Sequence, residues 1–133
     1  MPNKQTNSTG MHMQDLQVSR PKDAQQIVMK AYANAYKALG MSDTQGAKIL
    51  GVGRSTLLRK EAFDKTSKQS ELQLLFIRLY RSLFALFGGD LSTMKHWFDH
   101  NNKHLRGIPK ELCFTISGLV NVNAYLDGLR GKA

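Results

Sequence analysis

A chain of 133 residues can form one ordinary domain or two very small ones, and its 41% hydrophobic content is that of a chain that folds. Its single cysteine, Cys113, excludes an intrachain disulfide and removes the usual mark of a small secreted domain. The net charge of +9 favours polyanionic ligands, but residues 1–41, 42–68 and 69–133 each carry about +3, so charge alone locates no site.

Residues 1–20 are polar and without apolar periodicity, which predicts a flexible tail; MPNKQTNSTGMHMQ lacks the apolar core of a signal peptide. Pro21 suits a helix start. Ala24, Ile27, Val28, Ala31, Ala35 and Leu39 then recur at helical spacing until Gly40. This helix is expected to support the pair that follows, since two short helices cannot bury their own apolar sides.

That pair is the most specific motif in the chain. In SDTQGAKILGVGRSTLLRK, Ser42 and Gln45 have the spacing of a capping box, and Ile49 and Leu50 give the first helix, residues 43–50, its apolar side. Ala47 is small enough for another helix to approach closely. Gly51-Val52-Gly53 supplies a turn, with one apolar residue between two flexible positions. The second helix, 54–62, opens on Arg54, Ser55 and Thr56. A helix-turn-helix needs this layout, because the first side chains of its recognition helix reach base edges while later ones anchor it. Lys48, Arg54, Ser55, Thr56, Arg59 and Lys60 are therefore the candidate DNA contacts. Lys60 stands where many such segments place an apolar residue. It is expected either to extend toward a phosphate or to mark an early helix end.

DKTSKQS, residues 64–70, reads as a connector whose Ser67 or Ser70 caps a helix running to Phe87 and stopped by Gly88-Gly89. Leu72, Leu75, Phe76, Leu79, Leu83 and Leu86 form one face of it, and Leu74, Ile77, Phe84 and Phe87 another. Only a strip through Glu71, Arg78 and Ser82 looks wet. Such a helix belongs at the centre of a bundle or in a homodimer interface. Arg78 and Arg81 interrupt the run, which is too short to span a bilayer, so no membrane partner and a cytoplasmic location are expected. Asp90 or Ser92 caps a helix bearing Met94, Trp97 and Phe98, which Asn101-Asn102 breaks. Pro109 opens another through Ile116, Gly118 interrupts, and a last helix carries Leu119, Val122, Leu126 and Leu129 to Gly131. No β alternation appears. The class is all-α: a tail (1–20), a helix-turn-helix module (21–63), a connector (64–70) and a second helical module (71–133).

Catalytic chemistry finds little purchase. His96, Asp99 and His100 share a helical face and His104 follows, but Asn101-Asn102 should separate His104, leaving too few ligands for a metal. Cys113 lies in an apolar run and reads as a small core residue. The ten carboxylates are scattered, and Gly51-x-Gly53 is too short for a phosphate loop. No enzyme activity, cofactor or metal is expected.

The second module has a recognisable spacing. Met94…Trp97-Phe98…Asn101…Leu105-Arg106-Gly107-Ile108-Pro109…Leu112, followed by Gly118-Leu119…Val122…Tyr125-Leu126-Asp127-Gly128-Leu129-Arg130-Gly131, resembles the toxin-binding domain of the Xre/MbcA/ParS antitoxins over roughly residues 70–132. The helix-turn-helix in front is similar to the one these antitoxins carry. The resemblance implies a type II antitoxin whose partner is a RES-domain toxin that depletes NAD. It would inhibit by covering the toxin's active site with its C-terminal region, and repress its own operon by binding operator DNA. It further implies toxin contacts at Tyr125, Asp127, Arg130, Gly131, Lys132 and Ala133, with Trp97, Leu105, Gly107 and Pro109 shaping the module. Gly128 inside the last helix costs about 1 kcal/mol relative to alanine; close approach of a partner backbone or simple end fraying would each account for it. The competing expectation is a stand-alone helix-turn-helix regulator whose C-terminal half dimerises or senses another signal.

Overall fold

A computed structural model describes residues 21–131; the expected tail and the candidates Lys132 and Ala133 lie outside them. The described residues form seven helices: α1 (Pro21–Ala38), α2 (Asp43–Leu50), α3 (Arg54–Arg59), α4 (Lys68–Leu86), α5 (Leu91–Asp99), α6 (Pro109–Leu112) and α7 (Ile116–Leu129). The only pairing of β type among them is an isolated bridge between Asn102 and Gly107. The all-α class expected from sequence holds.

Local chemistry sets the helix starts. Ser67 Oγ accepts the Ser70 N–H at 3.1 Å to open α4, Asp90 accepts the Thr93 N–H at 3.4 Å to open α5, and Thr115 Oγ1 accepts the Gly118 N–H at 3.0 Å to open α7. Outside the helix-turn-helix, the connector and the α6–α7 junction differ from the sequence reading. The connector loses residues 68–70 to α4, because Ser67 is the cap and Ser70 is buried, its hydroxyl accepting from Gln25 Nε2 at 2.9 Å. Pro109 starts a helix of only four residues, and Gly118 does not interrupt: it lies in the first turn of α7. A Cβ there would stand 1.9 Å from the Leu112 carbonyl oxygen, so glycine allows the α6–α7 turn to close.

α4 is the axis of the molecule, with α1 packed on one side and α7 on another. One hydrophobic cluster runs through both halves of the chain. Its spine is a series of edge-to-face rings: Tyr36 on Tyr32 (5.2 Å between centroids), Tyr32 on Phe76 (5.7 Å), and Phe76 on Phe98 (6.1 Å). Each such pair adds about 0.5–1.5 kcal/mol beyond area burial, and together they tie α1, α4 and α5 into one body. Burial of the two tyrosines corrects the face assigned to α1. Ile27, expected inside, is 59% exposed, whereas Tyr32 and Tyr36 are buried. Their rings can go inside because their hydroxyls are satisfied: Tyr32 donates to the Gly46 carbonyl and Tyr36 to Asp43 Oδ1, each at 2.6 Å. Burial pushes both phenols above their ordinary range, with the Asp43 bond adding to the effect at Tyr36.

The strip of α4 expected to be wet is also rotated. Glu71 and Arg78 are exposed, but Ser82 is fully buried and Gln73 nearly so, while Leu74 and Phe84 face outward. Ser82 tolerates burial because Arg130 Nη1 donates to its hydroxyl at 3.0 Å, and Gln73 Nε2 reaches Met29 Sδ at 3.2 Å.

Candidate functional site

The helix-turn-helix is built as its sequence requires. The Ser42–Gln45 capping box closes from both sides: Ser42 Oγ accepts the Gln45 N–H at 3.1 Å, and Gln45 Oε1 accepts the Ser42 N–H at 3.0 Å. Gly51 ends α2 at φ 72°, a left-handed conformation that a side chain would strain. Val52 tucks its N–H onto the Ala47 carbonyl at 3.1 Å, and Leu57 anchors α3 in the core. The close approach expected at Ala47 falls mainly on the residue before it. A Cβ on Gly46 would stand 2.6 Å from the Tyr36 ring, so Gly46 sets the distance between α1 and α2. The Tyr32/Tyr36 spacing of four, opposite a glycine in the next helix, was the available signal.

α3 presents Arg54, Ser55 and Arg59 to solvent, with Thr56 half-buried. The recognition helix ends at Arg59, not at residue 62. Lys60 gives its N–H to the Thr56 carbonyl at 3.1 Å but adopts extended backbone (φ −78°, ψ 136°), and the chain turns so that Phe63 enters the core. Lys60 Nζ lies 5.6 Å from the Phe63 ring centroid, a weak cation–π contact that keeps the ammonium at the surface. Lys48 is placed differently from the α3 candidates. Its Nζ sits 4.5 Å over the ring of Phe114, between α6 and α7, and so joins α2 to the C-terminal module.

In that module, polar links hold α7 on α4. Asn123 Nδ2 donates to the Leu75 carbonyl at 3.1 Å, Arg78 pairs with Asp127, and Arg130 reaches Ser82. The partners occur in the same order along both helices, so α7 runs parallel to α4. Two sequence candidates, Asp127 and Arg130, are thus both positioned by α4 and shaped by it into a shallow groove with Leu74, Ile77 and Arg81. Asp127 Oδ1 is buried and has no hydrogen-bond partner. Tyr125 is half-buried and stacks with Trp97 (6.4 Å) and with His104 (5.8 Å). The loop that brings His104 there is closed by Asn102, whose Oδ1 accepts the Leu105 N–H at 3.0 Å, and it includes Arg106 at φ 59°. Beyond Asp127, α7 ends uncovered: Leu129 is 53% exposed, and nothing lies within 4 Å of where a Cβ on Gly128 or Gly131 would stand.

The histidines make no site together. His96 and His100 stack at 3.9 Å, Asp99 pairs with Lys110 at 3.0 Å, and no group of three or more potential ligands among the described residues could hold a metal ion. Cys113 is buried, which pushes its thiol up to about 12, far from the reactive range. No helix among the described residues is long and apolar enough to cross a membrane.

The architecture is that of a helix-turn-helix protein whose DNA-binding unit shares its longest helix with a partner-binding unit. Residues 21–78 match the family model of the antitoxin Xre-like helix-turn-helix domain, and residues 82–132 match that of the antitoxin Xre/MbcA/ParS C-terminal toxin-binding domain. No curated protein is similar enough to the chain to match. The chain carries both domains of the Xre-type antitoxins, a DNA-binding domain in front and a toxin-binding domain behind, and together they support a type II antitoxin. The two matches meet inside α4, between residues 78 and 82, the stretch that carries the Arg78–Asp127 and Ser82–Arg130 links.

Proposed function

We propose that the toxin is a RES-domain enzyme that depletes NAD, and that this antitoxin inhibits it by laying its C-terminal end over the toxin's active site. The toxin class rests on the resemblance to the antitoxin family; the observation that supports the mode of inhibition is the uncovered end of α7, held in place by the Arg78–Asp127 and Ser82–Arg130 links. Tyr125, Asp127, Arg130 and Gly131 occupy the last two turns of the chain leading to that end, with Lys132 and Ala133 beyond. An exposed glycine at 128 leaves room for a partner backbone to approach. The antitoxin performs no chemistry of its own in this scheme; it works in the cytoplasm and needs no cofactor.

The complex also represses its own operon. Arg54, Ser55 and Thr56 read bases, Arg59 and Lys60 hold phosphates, and Lys48 adds a phosphate contact when it leaves Phe114. A homodimer would match a palindromic operator, and the outward Leu74 and Phe84 of α4 supply apolar surface for one. The test takes the product of the adjacent reading frame, which on this reading is the toxin. Purified toxin should lose its NAD-consuming activity on titration with the full chain, and the same chain should protect the sequence upstream of its own gene from nuclease. A stand-alone regulator would protect DNA and leave the enzyme active.

A further inference from the structure

The outward face of α3 holds one large apolar side chain among polar ones. Leu57 anchors the helix at 6% exposure, while Leu58 beside it is 50% exposed. Leu58 follows Arg54 and Ser55 by four and three residues, the spacing that puts side chains on one helix face. It also borders a cleft between α1 and α3 whose rim carries Lys30, Lys37 and Lys60. The acidic groups nearby are both engaged: Glu61 accepts from Gln26 Nε2 at 3.0 Å, and Asp43 accepts from Tyr36 and lies 3.9 Å from Lys37.

An apolar spot ringed by cations, on a recognition helix, fits one occupant well. Duplex DNA places phosphates at the edges of its major groove and, on the groove floor, the thymine C5-methyl as an apolar group. We propose that Leu58 reads a thymine methyl, with the lysines of the α1–α3 cleft facing the flanking phosphates. The proposal rests on the chain being a DNA-binding helix-turn-helix protein. It adds a specificity that the hydrogen-bonding Arg54 and Ser55 do not provide, because a methyl group offers no hydrogen bond.

The probe is a duplex selected by the full chain from a randomised pool, prepared with thymine or with uracil at each thymine position in turn. Removing the one methyl that Leu58 covers should weaken wild-type binding about fourfold per half-site, the value of one buried methyl-sized group. Leu58→Ala should bind the thymine and uracil duplexes equally, while Leu58→Met, which keeps the apolar reach, should still distinguish them. Thermal melts of both variants should match wild type, since the side chain is half exposed. If the uracil duplexes bind wild type as well as thymine duplexes do, or if Leu58→Ala keeps the same discrimination, the proposal is overturned while DNA binding stands. A wild-type chain that selects no sequence from the pool overturns both. Unchanged discrimination with lost self-association would assign Leu58 to a protein interface instead.

Discussion

Two glycines in the same helix should respond to the same substitution with opposite sign. Alanine at either position gains helix propensity of up to about 1 kcal/mol, because glycine gives up more backbone freedom in a helix. At Gly118 the new Cβ would stand 1.9 Å from the Leu112 carbonyl oxygen and 2.8 Å from Thr115 Oγ1. Neither atom can yield cheaply. That carbonyl accepts the Thr115 N–H at 3.3 Å, and the same Thr115 hydroxyl caps α7 through the Gly118 N–H. Overpacking against fixed atoms costs about 3 kcal/mol at the upper end of its usual range, so Gly118→Ala should lose about 2 kcal/mol net. At this chain length that is a fall in Tm of about 8 °C. Gly128 has nothing within 4 Å, so Gly128→Ala should gain up to about 1 kcal/mol. Urea unfolding of both variants, followed by far-ultraviolet circular dichroism, measures the difference, with m-values expected to stay unchanged. A Gly118→Ala variant as stable as wild type would refute the packing argument, and a destabilised Gly128→Ala would refute the claim that this face is open.

Cys113 gives a pH prediction. Its thiol is held up to about 12 in the folded chain against 9.0 unfolded, so its contribution is complete below about pH 9 and is lost as pH rises toward 12. Between pH 9 and 10, where the raised phenols of Tyr32 and Tyr36 act on both chains alike, wild type should lose stability faster than Cys113→Ala by up to about 1.4 kcal/mol per pH unit. Parallel denaturation curves would contradict this. At the DNA face, Lys48→Ala should lower affinity evenly across sequences and reduce the salt slope by about 0.9, as a phosphate contact does. Arg54→Ala should instead cost about 1–3 kcal/mol on the selected sequence and little on random DNA; gel shifts across a salt series separate the two.

Elements fixed by neighbours in the chain were legible in the sequence. The capping box at Ser42 and Gln45, the left-handed Gly51 and the stop at Gly88-Gly89 each depend on residues within a turn of themselves. Features that depend on distant partners were not. Gly118 looked like a break because the Leu112 carbonyl that requires it belongs to the preceding helix, and only the fold brings it within 2 Å of a Cβ. The end of α3 depends on Phe63 turning into the core, and the burial of Ser82 depends on Arg130, 48 residues away. The tyrosines of α1 look amphipathic in a helical projection; the acceptors that let them be buried, Gly46 and Asp43, lie on α2. The same holds for the candidate site. Tyr125, Asp127 and Arg130 were candidates only through the resemblance to the antitoxin family, and their aromatic stack and their links to α4 were not legible at all.

The structure also decides how the proposed inhibition through the C-terminal end should be tested. Leu119, Val122 and Leu126 are fully buried, so removing residues 119–133 would take out part of the core. Removing residues 131–133 leaves every buried position of α7 in place. The direct measurement is the NAD content of cells that express the proposed RES-domain toxin together with either the full chain or the chain lacking residues 131–133, with both antitoxins recovered at equal levels. The full chain should hold NAD at its normal level and the shortened chain should let it fall. NAD preserved equally by both would contradict inhibition through the C-terminal end.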